Sequence, residues 1–209
     1  MPMLRKLSFS LLCLLPFATA HAVDHGNAIV TADRLLDVRS GRLLRDVTVL
    51  IEDGRIREVA QGEAGRALAG AGTARIDLGD MTVLPGLIDM HVHLDSDPSY
   101  GGYTGLQFGD RFWSMLAVPH AQKTLQAGFT TVRNVGSDAW NDVGLRQAID
   151  EGKVVGPRVV PAAYSFGATG GHCDSTYFPP SMAQKSPFNV DSVDEARKRV
   201  REVRKYGAQ

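Results

Sequence analysis

His91 and His93, two residues apart, are the side chains in this 209-residue chain whose spacing most directly suggests chemistry. They close the run Leu87-Ile88-Asp89-Met90-His91-Val92-His93-Leu94. On a β-strand, side chains at i and i+2 leave from the same face, so both imidazoles can reach one divalent cation. Zinc accepts neutral imidazole at about 2.0–2.1 Å, a distance this spacing permits. Two ligands fall short of a complete zinc site, and a His-x-His pair without context also describes ordinary surface or core histidines. A third histidine, His172, lies in Ala168-Thr169-Gly170-Gly171-His172-Cys173-Asp174. Glycines let backbone approach a ligand closely, so His172 reads either as a group facing the same site or as a loop histidine bonded to nearby backbone.

The elements that must position these residues are a strand layer and then alternating strands and helices. Val47, Val49 and Ile51 alternate with Thr48, Leu50 and Glu52, and Asp53-Gly54 follows, the strongest short hairpin indication available. Ile29-Val30, Ile76 and Val83 read as further short strands, and Gln61 to Gly72 as an unpatterned surface connection. A small β-sandwich is the economical reading of 23–84. After Pro85-Gly86 the pattern changes to strand 87–94, a helix that Pro119 restarts and Gly128 ends, strand 129–135, helix 145–151 and strand 158–163. A last helix carries a capping box at Ser192 and Glu195, an apolar stripe of Val193, Ala196, Val200 and Val203, and a stop at Gly207. Three βα units imply a parallel sheet, and both an open doubly wound sheet and a barrel begin this way. No Gly-x-Gly-x-x-Gly follows a strand, so the nucleotide-binding version lacks support.

Composition excludes several classes. Hydrophobic residues at 44% against 22% charged describe a chain that can bury a core. Lys plus Arg equals Asp plus Glu at 23 each, so no global field recruits nucleic acid. The six basic residues between Arg197 and Lys205 read as the solvated face of the last helix. Cys13 and Cys173 are too few for a disulfide framework. Residues 1–22 have the layout of a secretory signal: Arg5 and Lys6, the apolar run from Leu7 to Ala18, and Ala20-His21-Ala22 as cleavage site. That apolar run is shorter than a membrane span, which needs about 20 residues. The expected mature protein is therefore exported, periplasmic or secreted, with no membrane attachment after cleavage.

The motifs resemble the opening of the metal-dependent amidohydrolase superfamily. The resemblance runs through Asp53-Gly54-Arg55-Ile56, Asp77-Leu78-Gly79, Val83 to His93, Ala127-Gly128-Phe129-Thr130-Thr131-Val132-Arg133 and Gly170-Gly171-His172. The later pieces are similar to the branch of Xaa-Pro and related metallodipeptidases that also contains ochratoxin-hydrolysing amidohydrolases. The resemblance implies an α/β architecture, a small N-terminal β-sandwich beside a (β/α)8 TIM barrel, of which 85–209 supplies the first three βα units. It implies one or two divalent ions, commonly zinc, with His91 and His93 as first-strand ligands. The family's other ligands, a carboxylated Lys, two further His and a late Asp, find no match in the chain. The expectation is an N-terminal part of a longer protein that is inactive alone and contains no catalytic base.

The remaining expectations concern substrate. By resemblance His172 contacts the substrate, through its carboxylate or the developing oxyanion. Tyr164, Phe166, Tyr177, Phe178 and Phe188 give the 164–190 loop an aromatic character that suits either a pocket wall or packing onto the barrel rim. Tyr100, with Tyr103, sits in a glycine-rich loop that reads as a lid or as a turn-rich excursion. The expected substrates are small amides such as dipeptides with a C-terminal Pro or basic residue. Cyclic amides or deaminase substrates, and a non-catalytic chain that binds a partner, are the alternatives. No nucleic acid is expected, and a homo-oligomer is compatible. Cys173 stands where the branch has glycine and reads as a tolerated small residue. Asn134 stands where the branch has Asp, which leaves an ionic role there without support. His120 reads as structural.

Overall fold

The computed structural model describes residues 26–68, 74–174, 176, 178–182 and 188–209. The leader expected at 1–22 and Tyr177 of the aromatic loop lie outside these residues. The chain divides into two compact units, one up to Pro85 and one over Gly86–Gln209.

In the first unit, β1 (Ala28–Asp37), β2 (Arg42–Glu52) and β3 (Arg55–Gln61) pair antiparallel. Asp53 and Gly54 form the whole second hairpin loop at φ 51° and 69°, the two left-handed residues a type I′ turn demands. β4 (Ala74–Asp77) and β5 (Thr82–Val83) join β1 in parallel, one along each half of it. The strands expected as a small sandwich thus lie in one five-stranded sheet. β1 outruns the Ile29-Val30 pattern because its pairing continues to Asp37 opposite Arg42 past the polar Asp33 and Arg34. The connection after Gln61 is also more ordered than expected. It opens with α1 (Gly62–Ala67), which sits close over β2 because Gly65 has no side chain to meet Thr48. Arg66 then pairs with Asp46 at 2.8 Å.

The second unit runs β6 (Leu87–Val92), α2 (Asp110–Gln126), β7 (Phe129–Asn134), α3 (Asn141–Asp150), β8 (Arg158–Pro161) and α4 (Val193–Lys205). Its three strands form a parallel sheet in the order β6-β7-β8. Ala117 and Ala121 of α2 and Leu145 of α3 bury against Val132 and Val159 in one cluster, so both helices cover the same face of the sheet. That placement separates a barrel from a doubly wound sheet, whose helices lie on both faces. α2 runs unbroken through Pro119, correcting the expected restart. Pro119 and Met115 are both exposed, so the carbonyl that loses its partner to the proline faces water.

α4 starts as its capping residues predict, with Ser192 Oγ accepting from Glu195 N at 3.3 Å. The Glu195 carboxylate reaches back one residue further than a standard box, to Asp191 N at 2.8 Å. Its stripe is only partly covered. Val203 packs with Val143, Ala163 and Ala208, whereas Val193 and Val200 are 67% and 54% exposed. The helix is anchored through its C-terminal end, where it meets α3 and the segment after β8.

Candidate active site

Parallel strands present their C-terminal ends together, and here those ends open onto a cleft of about 520 Å³. His91 lines it from β6 and His93 from the residue after it, Arg133 from β7 and Val135 from the residue after it, and Ala162, Tyr164 and Ser165 from the segment after β8. The period of 2 explains the β7 contribution: Val132 and Asn134 turn to the helix side, and Arg133 between them turns to the cleft.

His91 and His93 are not carried on a regular strand. Asp89 pairs with Val132 and Val92 with Asn134, so three residues of β6 span two of β7 and a bulge falls at Met90-His91. The freed His91 N–H turns to the Asp89 carboxylate at 2.9 Å. Bulges near sites re-aim side chains. The two rings still meet edge to face, with centroids 5.4 Å apart. His93 Nδ1 lies 3.3 Å from the Gly136 carbonyl, which can only accept, so a neutral His93 bonded there donates from Nδ1 and keeps the Nε2 lone pair open to a cation.

Beneath the cleft lies a buried polar network. Asn134 Oδ1 accepts from Leu94 N at 2.8 Å, and its Nδ2 donates to the Gly136 carbonyl at 3.0 Å and to Asp142 Oδ2 at 3.2 Å. Asp142 Oδ2 also accepts from Ala162 N and Ala163 N at 3.1 and 3.0 Å. A second carboxylate, Asp95, accepts from Ser137 Oγ, Asn141 Nδ2 and Asp138 N. Together these bonds tie the ends of all three strands to the first turn of α3. Burial raises the Asp142 carboxyl above its ordinary range, and the bonds from Ala163 N, Asn134 and Val143 N only partly offset it.

Of the other expected site residues, His172 and Tyr164 line the same cleft and Tyr100 does not. The Tyr100 ring is edge-on to Phe108, Phe112 and Trp113 at 5.0–6.0 Å, because the aromatic first turns of α2 offer it an apolar seat. Tyr164 is held from two sides. Its ring stacks on Phe188 at 3.8 Å, and its hydroxyl oxygen accepts from Ala139 N at 2.7 Å. Burial raises the hydroxyl's pKa, which keeps it neutral. The aromatic loop divides between its two readings: Phe188 packs against Trp140 and Tyr164, and Phe166 lines the cleft. Cys173 also lines it. His120 bonds the Leu94 carbonyl through Nδ1 at 2.9 Å, tying α2 to the end of β6.

The residues that sequence reasoning passed over are Arg133 and Asp142. Arg133 donates to the Gln209 carbonyl at 2.6 Å. Its strand parity, opposite to Val132, was the available indication. On α4, Arg199 is paired with Glu202 at 2.6 Å and lies over the Phe188 ring at 4.5 Å, and Arg197 pairs with Asp194 at 3.3 Å.

The donor set fits two positions of a divalent cation's shell, two imidazoles on one side of the cleft with His93 oriented through its second nitrogen. Among the described residues, no three His, Cys, Asp or Glu side chains group as a metal shell.

Comparison with known proteins agrees with this geometry. Residues 82–209 match the model of the Amidohydrolase family. A dihydroorotase from Geobacter sp. (strain M21) is 35% identical over 107 residues, 48% of this chain and 24% of that protein. A crystal structure of a Xaa-Pro dipeptidase with bound methionine in the active site superposes with a TM-score of 0.76 at 31% identity, covering 87% of this chain and 45% of that one. The crystal structure of A. niger ochratoxinase gives a TM-score of 0.68 at 26% identity with the same coverage of each chain. The chain therefore spans less than half the length of these relatives, and its three βα units correspond to part of their (β/α)8 barrel. With the family model covering most of its length, the chain belongs to the amidohydrolase family.

Proposed function

We propose that the protein is a divalent-metal-dependent hydrolase of amide C–N bonds in small substrates, foremost dipeptides with a C-terminal Pro or basic residue. The observation that carries this reading is the convergence of His91, His93, His172 and Tyr164 on one cleft at the C-terminal ends of parallel strands. A divalent ion, zinc in this proposal, supplies Lewis-acid polarisation of the scissile carbonyl and a nucleophilic water at neutral pH. His91 and His93 would hold it from the β6 side, His93 with its Nδ1 kept on Gly136. His172, exposed on a loop with glycines before it, would donate to a substrate carboxylate or to the oxygen that gains charge. The Tyr164 ring and Phe166 give an apolar acyl group a wall, and Arg133 adds a fixed positive charge below.

The described residues supply two ligands of such a site, so no turnover is expected from 23–209 alone. The leader layout at 1–22 supports export, and the mass of the mature N-terminus, expected at Val23, checks it. The similarity to a dihydroorotase favours a second reading, ring-opening of cyclic amides, on the same metal site. The test is release of proline or arginine from dipeptides by the protein expressed from its whole reading frame, with and without chelator. Chelator-sensitive release that His91→Ala and His93→Ala abolish supports the first reading. Ring-opening without dipeptide cleavage replaces it with the second.

A further inference from the structure

We infer that Asn134 is the positioning residue for His93, a buried amide that fixes both the backbone beside the histidine and the carbonyl to which its ring donates. The inference rests on reading His93 as a metal ligand. Asn134 is 0% exposed and lies on the helix side of β7, away from the cleft. Its Oδ1 holds Leu94 N, the residue next to His93, and its Nδ2 holds the Gly136 carbonyl that His93 Nδ1 also reaches. The amide orientation is dictated by its partners, since Leu94 offers only a donor and Gly136 only an acceptor. Gly136 itself has no room for a side chain, because a Cβ there would run into the Ser165 hydroxyl and come within 3.7 Å of His93 Cε1. The carbonyl is therefore held in place on both sides.

In this chain, where Asp142 faces it, position 134 suits an amide better than the Asp that the resembled branch has there. An Asp there would keep the Leu94 bond through one oxygen but turn the other toward both the Gly136 carbonyl and the Asp142 carboxylate, itself 1% exposed. The Gly136 carbonyl would lose a donor, and the cost of two facing buried acceptors would fall on the strand end that carries His93. Asp142 completes the device by accepting the second Nδ2 proton while anchoring Ala162 N and Ala163 N.

The test reads the neutral tautomer of His93 by long-range nitrogen–proton NMR on the metal-free chain at alkaline pH, beside zinc titration. Wild type should be predominantly Nδ1–H, and an Nε2–H ring overturns the inference with no variant needed. Asn134→Asp should shift the ring toward Nε2–H and weaken zinc binding on the order of 10–100-fold. The double variant Asn134→Asp with Asp142→Asn restores a hydrogen bond between 134 and 142 but not the bond to Gly136. Because the new amide nitrogen at 142 takes the place of the oxygen that accepts from Ala162 N and Ala163 N, the double variant need not recover the thermal midpoint lost in the single variant, but it should keep the altered tautomer. A wild-type tautomer in the double variant means that Asn134 serves the fold only, and overturns the inference. Should zinc fail to bind wild type while the tautomer shifts as stated, the ligand reading fails and the positioning of the ring stands. Should the variants fail to fold, the wild-type tautomer decides.

Discussion

Asn134, at the end of β7, and Asp142, in the first turn of α3, are both buried and joined by a 3.2 Å bond from amide to carboxylate. The bond spans eight residues of sequence and closes the loop that leads from strand to helix. Around it the chain accepts left-handed backbone at Ala139, Trp140 and Ala163, three non-glycine residues with φ of 47°, 61° and 61°. Such conformations are kept where surrounding bonds over-determine them. Here Ala163 N is bonded to Asp142 and Ala139 N to Tyr164.

The carboxyl of Asp142 gives stability a pH dependence with a definite sign. Burial raises its pKa above the ordinary 3.8, and the nearby Asp95 charge adds to the rise. The fold then binds the proton more tightly than the unfolded chain does. Its contribution is fully present below about 3.8 and is lost as pH rises through the folded value. Asp142→Asn should therefore gain on wild type as pH goes from about 4 to 7. Urea unfolding at both pH values checks this, and a flat or reversed difference contradicts it.

Gly136→Ala should cost about 1–3 kcal/mol, because the new methyl meets the Ser165 hydroxyl at a φ of 155°. Ser165→Ala in the same chain removes that hydroxyl and leaves the Ser165 Cβ at 3.4 Å, an ordinary contact. The double variant should regain part of the loss in thermal denaturation. Additive losses would mean that strain, not the clash, dominates.

Tyr164→Phe removes the acceptor of Ala139 N but keeps the ring on Phe188, and should cost about 1 kcal/mol. Tyr164→Ala also empties the space between Trp140 and Phe188, and should cost about 3–5 kcal/mol. Chemical denaturation of the pair separates the hydroxyl from the ring.

Ser192→Ala should lower stability by about 1 kcal/mol by leaving Glu195 N without its cap. Ser192→Asp should restore it, since a carboxylate caps equally well and favours the helix N-terminus. Equal losses in both variants would remove capping as the cause.

Much of the fold could be read from the chain because local chemistry and final structure agree. Asp53-Gly54 makes the turn it encodes, and the order of strands and helices after Gly86 follows their hydrophobic periods. The partial exposure of Val193 and Val200 was not legible, since a stripe does not say what will cover it. The convergence of His91 and His93 followed from their spacing, but the bulge between Asp89 and Val92 did not, being set by pairing with β7. Tyr100 was placed by its loop's glycines, yet its ring follows the aromatic residues of α2, which a reading of the loop alone could not weigh. Asp142 carries no motif, and Asn134 stands out only as a replacement for the branch's Asp; the bond between them exists only once α3 folds back over the end of β7.

Whether His91 and His93 hold a divalent cation is read from zinc content per chain after gel filtration. The comparison is wild type, His91→Ala and His93→Ala, each expressed from the whole reading frame. Wild type should retain about one to two equivalents, as this chemistry requires, and either alanine variant should lose most of it. Metal-free wild type, or variants that keep as much metal as wild type, would contradict it.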